Sequence, residues 1–131
     1  MRENMENSKP EFVRLIPILS VKDIESETEF YMSLGFEISY QGDEFPGFVA
    51  LRNGGVEFGL EERANVDASK VNDSFSWQME ADNLNKIIAI CQARNIKHSK
   101  PRQYWEERDA WEMQVHTPNG YTLNIETLGH E

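Results

Sequence analysis

The final hairpin carries the clearest pattern. In "YTLNIE", Tyr121, Leu123 and Ile125 alternate with Thr122, Asn124 and Glu126, the period of a strand with one buried face. Before it, "HTPNG" holds the turn residues Pro118, Asn119 and Gly120. The same order of patterns occurs twice. The first half reads "RLIPILSVKDIESETEFYMSLGFEISY" and then "FVALRNGGVEFGLEE"; the second reads "SFSWQMEADNLNKIIAICQARNIKHS" and then "AWEMQVHTPNGYTLNIET". Each run predicts a strand, an Asp, a helix, a short strand and a hairpin. Asp23 is the expected cap of a first helix ending at Gly35, and Asp82 of a second, with Leu84, Ile87, Ile88 and Cys91 on its apolar face.

The chain is therefore expected to be α+β: two βαβββ modules, 11–62 and 74–127, joined by a polar linker, 63–73, after a polar tail, 1–10. A helix covers one face of each four-stranded sheet. The other faces are expected to curl into a cup suited to a small molecule.

Composition narrows the function classes. The 131 residues suffice for one domain, and the 13 basic against 23 acidic residues (net −10) argue against nucleic acid while permitting a cationic ligand. No apolar run approaches a membrane span, and "MRENMENSKPEF" lacks an apolar leader core. A single cysteine, Cys91, excludes an internal disulfide and fits the cytoplasm; in "IIAICQA" it reads as a small buried apolar residue.

"ILSVKDIESETEFYMSLGFEI" in the first half and "VHTPNGYTLNIE" in the second resemble the vicinal oxygen chelate superfamily, the glyoxalase/bleomycin resistance/dioxygenase group, over about residues 12–127. The second stretch resembles that group's usual ending with Thr117 and Asn119 in place of two aspartates. The resemblance implies metal ligands, in the enzymes of the group, on the first and last strand of each module. Carried over, the four positions fall on Ile16, Gly59, Ser76 and Asn124. None is an imidazole or carboxylate, so no metal and no cofactor is expected. A slip of one residue turns to the opposite sheet face, and a slip of two on the fourth strand reaches Glu57 or Glu61 without a histidine. His98, His116 and His130 lie after a helix, at a turn and in the C-terminal tail.

What remains resembles the metal-free bleomycin resistance type: homodimers that sequester a partly flat, cationic drug without chemistry. Such a site needs aromatic faces and acidic groups. The ligand-binding candidates are Ile16, Phe48, Glu57, Gly59, Glu61, Gln78, Trp105, Trp111 and Asn124. Glu57 and Glu61 would acidify a wall, Gly59 would leave space, Phe48 would stack, and Ile16 with Ile18 would form an apolar floor. Phe45 is a candidate lid residue in "QGDEFPGF", and Tyr104 and Trp105 are expected on a loop. Trp111 shares parity with Met113 and Val115, which leaves its face open; Trp77 alternates with Phe75 and Met79 and reads as core. The tryptophan usual before the last hairpin of bleomycin binders is not matched in register. The reading is a metal-independent binder of a cationic aromatic antibiotic. The alternatives are a lyase or isomerase with Glu57 or Glu61 as base, and an accessory module whose cup is vestigial.

Overall fold

The computed structural model describes residues 8–128. Residues 1–7 of the expected tail and His130 lie outside the described residues, and 8–10 are exposed. The first module holds β1 (Ile18–Val21), α1 (Ile24–Ser33), β2 (Glu37–Tyr40), β3 (Phe48–Asn53) and β4 (Val56–Glu62). The second holds β5 (Trp77–Glu80), α3 (Leu84–Arg94), β6 (Arg102–Trp105), β7 (Ala110–His116) and β8 (Thr122–Thr127). The two sheets have the same order, β1-β4-β3-β2 and β5-β8-β7-β6, each with one parallel pair at its first strand. The duplicated α+β architecture is thus as expected from the sequence.

Local chemistry places the helices. Asp23 accepts from the Ser26 amide to cap α1, and Gly35, at φ +104°, terminates it. The cap of α3 is Asn83, whose side chain accepts from the Asn85 and Lys86 amides; Asp82 instead pairs with Lys86. Both neighbours are good caps, and the cap falls one residue later than expected. The polar linker also contains a helix, α2 (Ala68–Ser74), capped by Asp67. It docks on the final hairpin: Asn72 donates to the Gly120 carbonyl and accepts from the Thr122 amide.

The helix-side faces of both sheets merge into one core. Leu19, Val21, Leu51, Phe58 and Leu60 of the first sheet join Trp77, Met113, Val115, Leu123 and Ile125 of the second. Trp77 is the joint: its ring meets Phe58 at 5.0 Å, and its Nε1 donates to Tyr31 Oη at 2.9 Å. Burying such apolar side chains contributes roughly 1.5–3 kcal/mol each.

One polar group lies inside this joint. Glu27 of α1 is fully buried and accepts from the Asn119 backbone amide (3.0 Å) and side-chain amide (2.8 Å). Tyr31 Oη donates to its other oxygen, and Asn119 Oδ1 accepts from the Lys22 and Asp23 amides. A turn of the second module thus clasps the start of the first helix. Burial pushes the Glu27 carboxyl up, against the opposing effect of these hydrogen bonds.

Candidate functional site

Strand alternation sends Phe58 and Leu60 into the core and leaves Glu57, Gly59 and Glu61 on the opposite, open face of the first sheet. Cross-strand pairing brings Ile18 and Ala50 beside Gly59, Phe48 beside Glu61, and Arg52 beside Glu57. The shared face of Glu57, Gly59 and Glu61 is as the repeat implied. Their surroundings differ from expectation. Gly59 does not leave a void, because the Phe48 ring lies across it. A Cβ at Gly59 would stand 2.7 Å from Phe48 Cε1 and 3.4 Å from Ile18 Cγ1. Ile18 forms this floor, while Ile16 precedes β1 and lies outside the ladder.

The two carboxylates are already partnered. Glu57 lies 3.6 Å from Arg14. Glu61 accepts from Arg63 Nε at 2.9 Å and from Ser20 Oγ at 2.8 Å. The Arg63 hydrogen bonds first, then Ser20, hold the Glu61 carboxyl below its ordinary value. Glu61, one of the two candidate bases, is thus made a weaker base by its partners.

Beside Phe48, the loop between β2 and β3 shapes a cavity of about 640 Å³, lined by Phe45, Phe48, Glu44, Glu61, Glu62 and Arg63 among others. Tyr40 meets the rings of both Phe45 and Phe48, at 6.1 and 6.2 Å between centroids. Glu61, paired with Arg63, shares the sheet face of Phe48, whereas the Glu62 carboxylate turns to the other face and accepts from the Ile24 amide.

The second sheet's open face is polar throughout. Gln78, Asn124 and Gln114 are paired across β5, β8 and β7, and Glu80, Glu126 and Glu112 form the next row. Gln78 Nε2 and Tyr104 Oη both donate to Glu126, at 3.0 and 2.6 Å, and Arg102 pairs with Glu112. The Glu126 hydrogen bond, with some burial, pushes the Tyr104 phenol up to about 12.

Opposite Gly59 stands Ile18, and opposite Asn124 stands Gln78, two residues beyond the carried-over Ile16 and Ser76. Either set lacks an imidazole or carboxylate, so these residues do not fit a catalytic ion. Among the described residues no three His, Cys, Asp or Glu side chains converge to hold a metal.

The face of Trp111, left open by the sequence, is the helix side, where it lines a cavity of about 470 Å³ with Asp82, Asn83 and Thr127. Trp111 pairs with Thr127 and shares the helix side with Met113 and Val115, so it packs under the domain and not on the open face. Its Nε1 donates to Asp109 Oδ1. Trp105 ends β6, exposed, with the Arg108 guanidinium 5.2 Å from its ring centroid. Glu57 and Gln78 both line a groove of about 480 Å³ that also takes in Arg14, Leu15 and Trp77. Neither Phe48 nor Asn124 lines that groove, and Phe48 and Glu61 belong to the cavity under the β2–β3 loop. Sequence reasoning missed Glu44 at that cavity, Tyr40 against its two rings, and the buried Glu27. No pattern within α1 marks Glu27, which stands between Glu25 and Glu29 as on a solvated face.

No protein-family model matches the sequence, and no curated protein matches it. Among solved structures the fold is that of the bleomycin resistance and glyoxalase/dioxygenase proteins. A bleomycin resistance determinant encoded on the transposon Tn5 is 19% identical, at TM-score 0.69 over 92% of this chain and 99% of that one. A bleomycin-binding protein complexed with bleomycin is also 19% identical, at TM-score 0.67 over 92% and 100%. An antibiotic binding protein from a Streptomyces species is 15% identical, at TM-score 0.66 over 91% and 99%.

Proposed function

We propose that this protein is a metal-independent binder of small aromatic cations, acting by sequestration as a homodimer in the cytoplasm. The observation that carries the reading is the juxtaposition of Phe48 and Glu61. An aromatic face and an acidic side chain stand side by side on the open sheet, at the edge of a cavity of about 640 Å³ where Arg63 already pairs with Glu61 and Glu44 adds a second acid. Stacking and charge together are what a flat cation requires. The likeness to structures that bind bleomycin and another antibiotic supports a small-molecule ligand. The donor set at Ile18, Gly59, Gln78 and Asn124 supports independence from a metal. The open cavity beside Phe48 argues against a vestigial site.

The dimer is supported by the segment before β1. Phe12, Val13 and Leu15 are 91%, 86% and 83% exposed, and β1 is an edge strand. An apolar arm beside a free strand edge calls for a partner.

The test is calorimetric titration of the purified protein with bleomycin and with N-methylacridinium, alongside elemental analysis and mass in solution. Saturable binding of one of them, without stoichiometric transition metal, at twice the chain mass, is the expected result. A stoichiometric metal would remove metal independence, and indifference to every aromatic cation would remove the ligand class.

A further inference from the structure

Gly59 sits in the interior of β4 with ordinary strand backbone; its φ is not among the positive ones, so no turn or left-handed conformation demands a glycine. A glycine inside a strand is less favourable than an alanine, so its presence asks for a reason. Such a residue in a strand interior marks a close approach, and here the approaching group is the Phe48 ring. Ring atoms Cε1 and Cζ lie 2.7 and 2.8 Å from where a Cβ would stand, closer than real Cβ contacts allow. With any larger residue at this position the Phe48 ring must shift from its present place over the strand. The cavity under the β2–β3 loop has that ring as one of its walls, and Phe45 and Glu61 as others.

We propose that Gly59 is the specificity-determining residue of this site, by seating Phe48 low. The seated ring keeps open a recess that takes one flat aromatic ring against Phe48 and Phe45, with its positive charge toward Glu61 and Glu44. Phe48 is the contact residue. Gly59 acts through it and is a positioning residue. The inference rests on the aromatic-cation reading above and adds to it the residue that sets the depth of the recess.

The experiment is a double-mutant cycle read by quenching of N-methylacridinium fluorescence, with wild type, Gly59→Ala, Phe48→Leu and the double variant. Gly59→Ala is expected to weaken binding at least tenfold in the Phe48 background and less than twofold in the Phe48→Leu background, where no ring needs lifting. Phe45→Ala, on an exposed loop where folding is not at stake, is expected to weaken binding about threefold to tenfold. If Gly59→Ala fails to fold, the double variant decides: folding restored by Phe48→Leu supports the seating of the ring on Gly59, and a double variant that also fails overturns it. Wild-type affinity in Gly59→Ala, equal loss in both backgrounds, or unchanged binding by Phe45→Ala overturns the inference while leaving the binding function intact. Wild-type protein that quenches neither N-methylacridinium nor any other aromatic cation overturns the underlying reading as well.

Discussion

The two sheets are built alike and finished differently. Their strand order, helix placement and buried faces correspond strand for strand. Their open faces do not: the first carries Ile18, Tyr40, Phe48 and Ala50 around Gly59, and the second carries Gln78, Gln114 and Asn124 beside three glutamates. The helix sides share one core, where each change is felt by both modules. The open sides have no such partner within the chain and are free to specialise. The packed aromatic wall belongs to the first repeat, while acids stand on both: Glu57 and Glu61 on the first open face, Glu80, Glu112 and Glu126 on the second.

The strongest way to break this picture is at the shared side. Trp77→Ala removes the joint between the modules and is expected to cost about 3–5 kcal/mol in urea unfolding, in one transition. Two separate transitions in the wild-type protein would mean that the modules are energetically independent. Next comes Glu27. Glu27→Ala leaves the Asn119 amides without their acceptor and is expected to cost about 2–3 kcal/mol.

The same residue gives the shared side a pH signature. The folded state holds the Glu27 proton more tightly than the unfolded chain does. Its contribution is therefore full below the ordinary carboxylate value of 4.5 and is lost as pH rises through the raised one. Glu61 has the opposite sign: its contribution is present above 4.5 and is lost as pH falls through its lowered value. Glu27→Gln should flatten the first slope and leave the second, as read by thermal unfolding from pH 3 to 8.

On the open faces the expected effects are on binding and titration. Glu61→Gln should weaken an aromatic cation by about fivefold with little change in stability, as suits a partly exposed ion pair. The smallest effect is expected on the second sheet, where Glu126→Gln should lower the Tyr104 phenol from about 12 toward 10, followed by its ultraviolet absorbance. Equal losses of cation affinity from Glu61→Gln and Glu126→Gln would indicate that both open faces contact one ligand.

The features legible in the sequence follow from periodicity. The repeat, the burial of Trp77, and the common face of Glu57, Gly59 and Glu61 all rest on strand alternation, which one chain segment displays by itself. The features that were not legible depend on two segments at once. The face of Trp111 is fixed by its pairing with Thr127. The space at Gly59 is decided by a ring from the neighbouring strand. The choice of Asn83 over Asp82 depends on where the helix begins relative to its sheet. Glu27 carries the composition of a solvated helix surface and becomes buried only because Asn119 arrives from the other module.

That arrival has a consequence for how the protein is made. The residue that satisfies Glu27 lies 92 positions further along the chain. While the ribosome is still producing the second module, α1 stands with an acid on the face destined for the interior, and hydration keeps that acid content to remain outside. Without the last hairpin Glu27 lacks both Asn119 amides, so a fragment ending before Asn119 is expected to unfold at lower urea concentration than the full chain does.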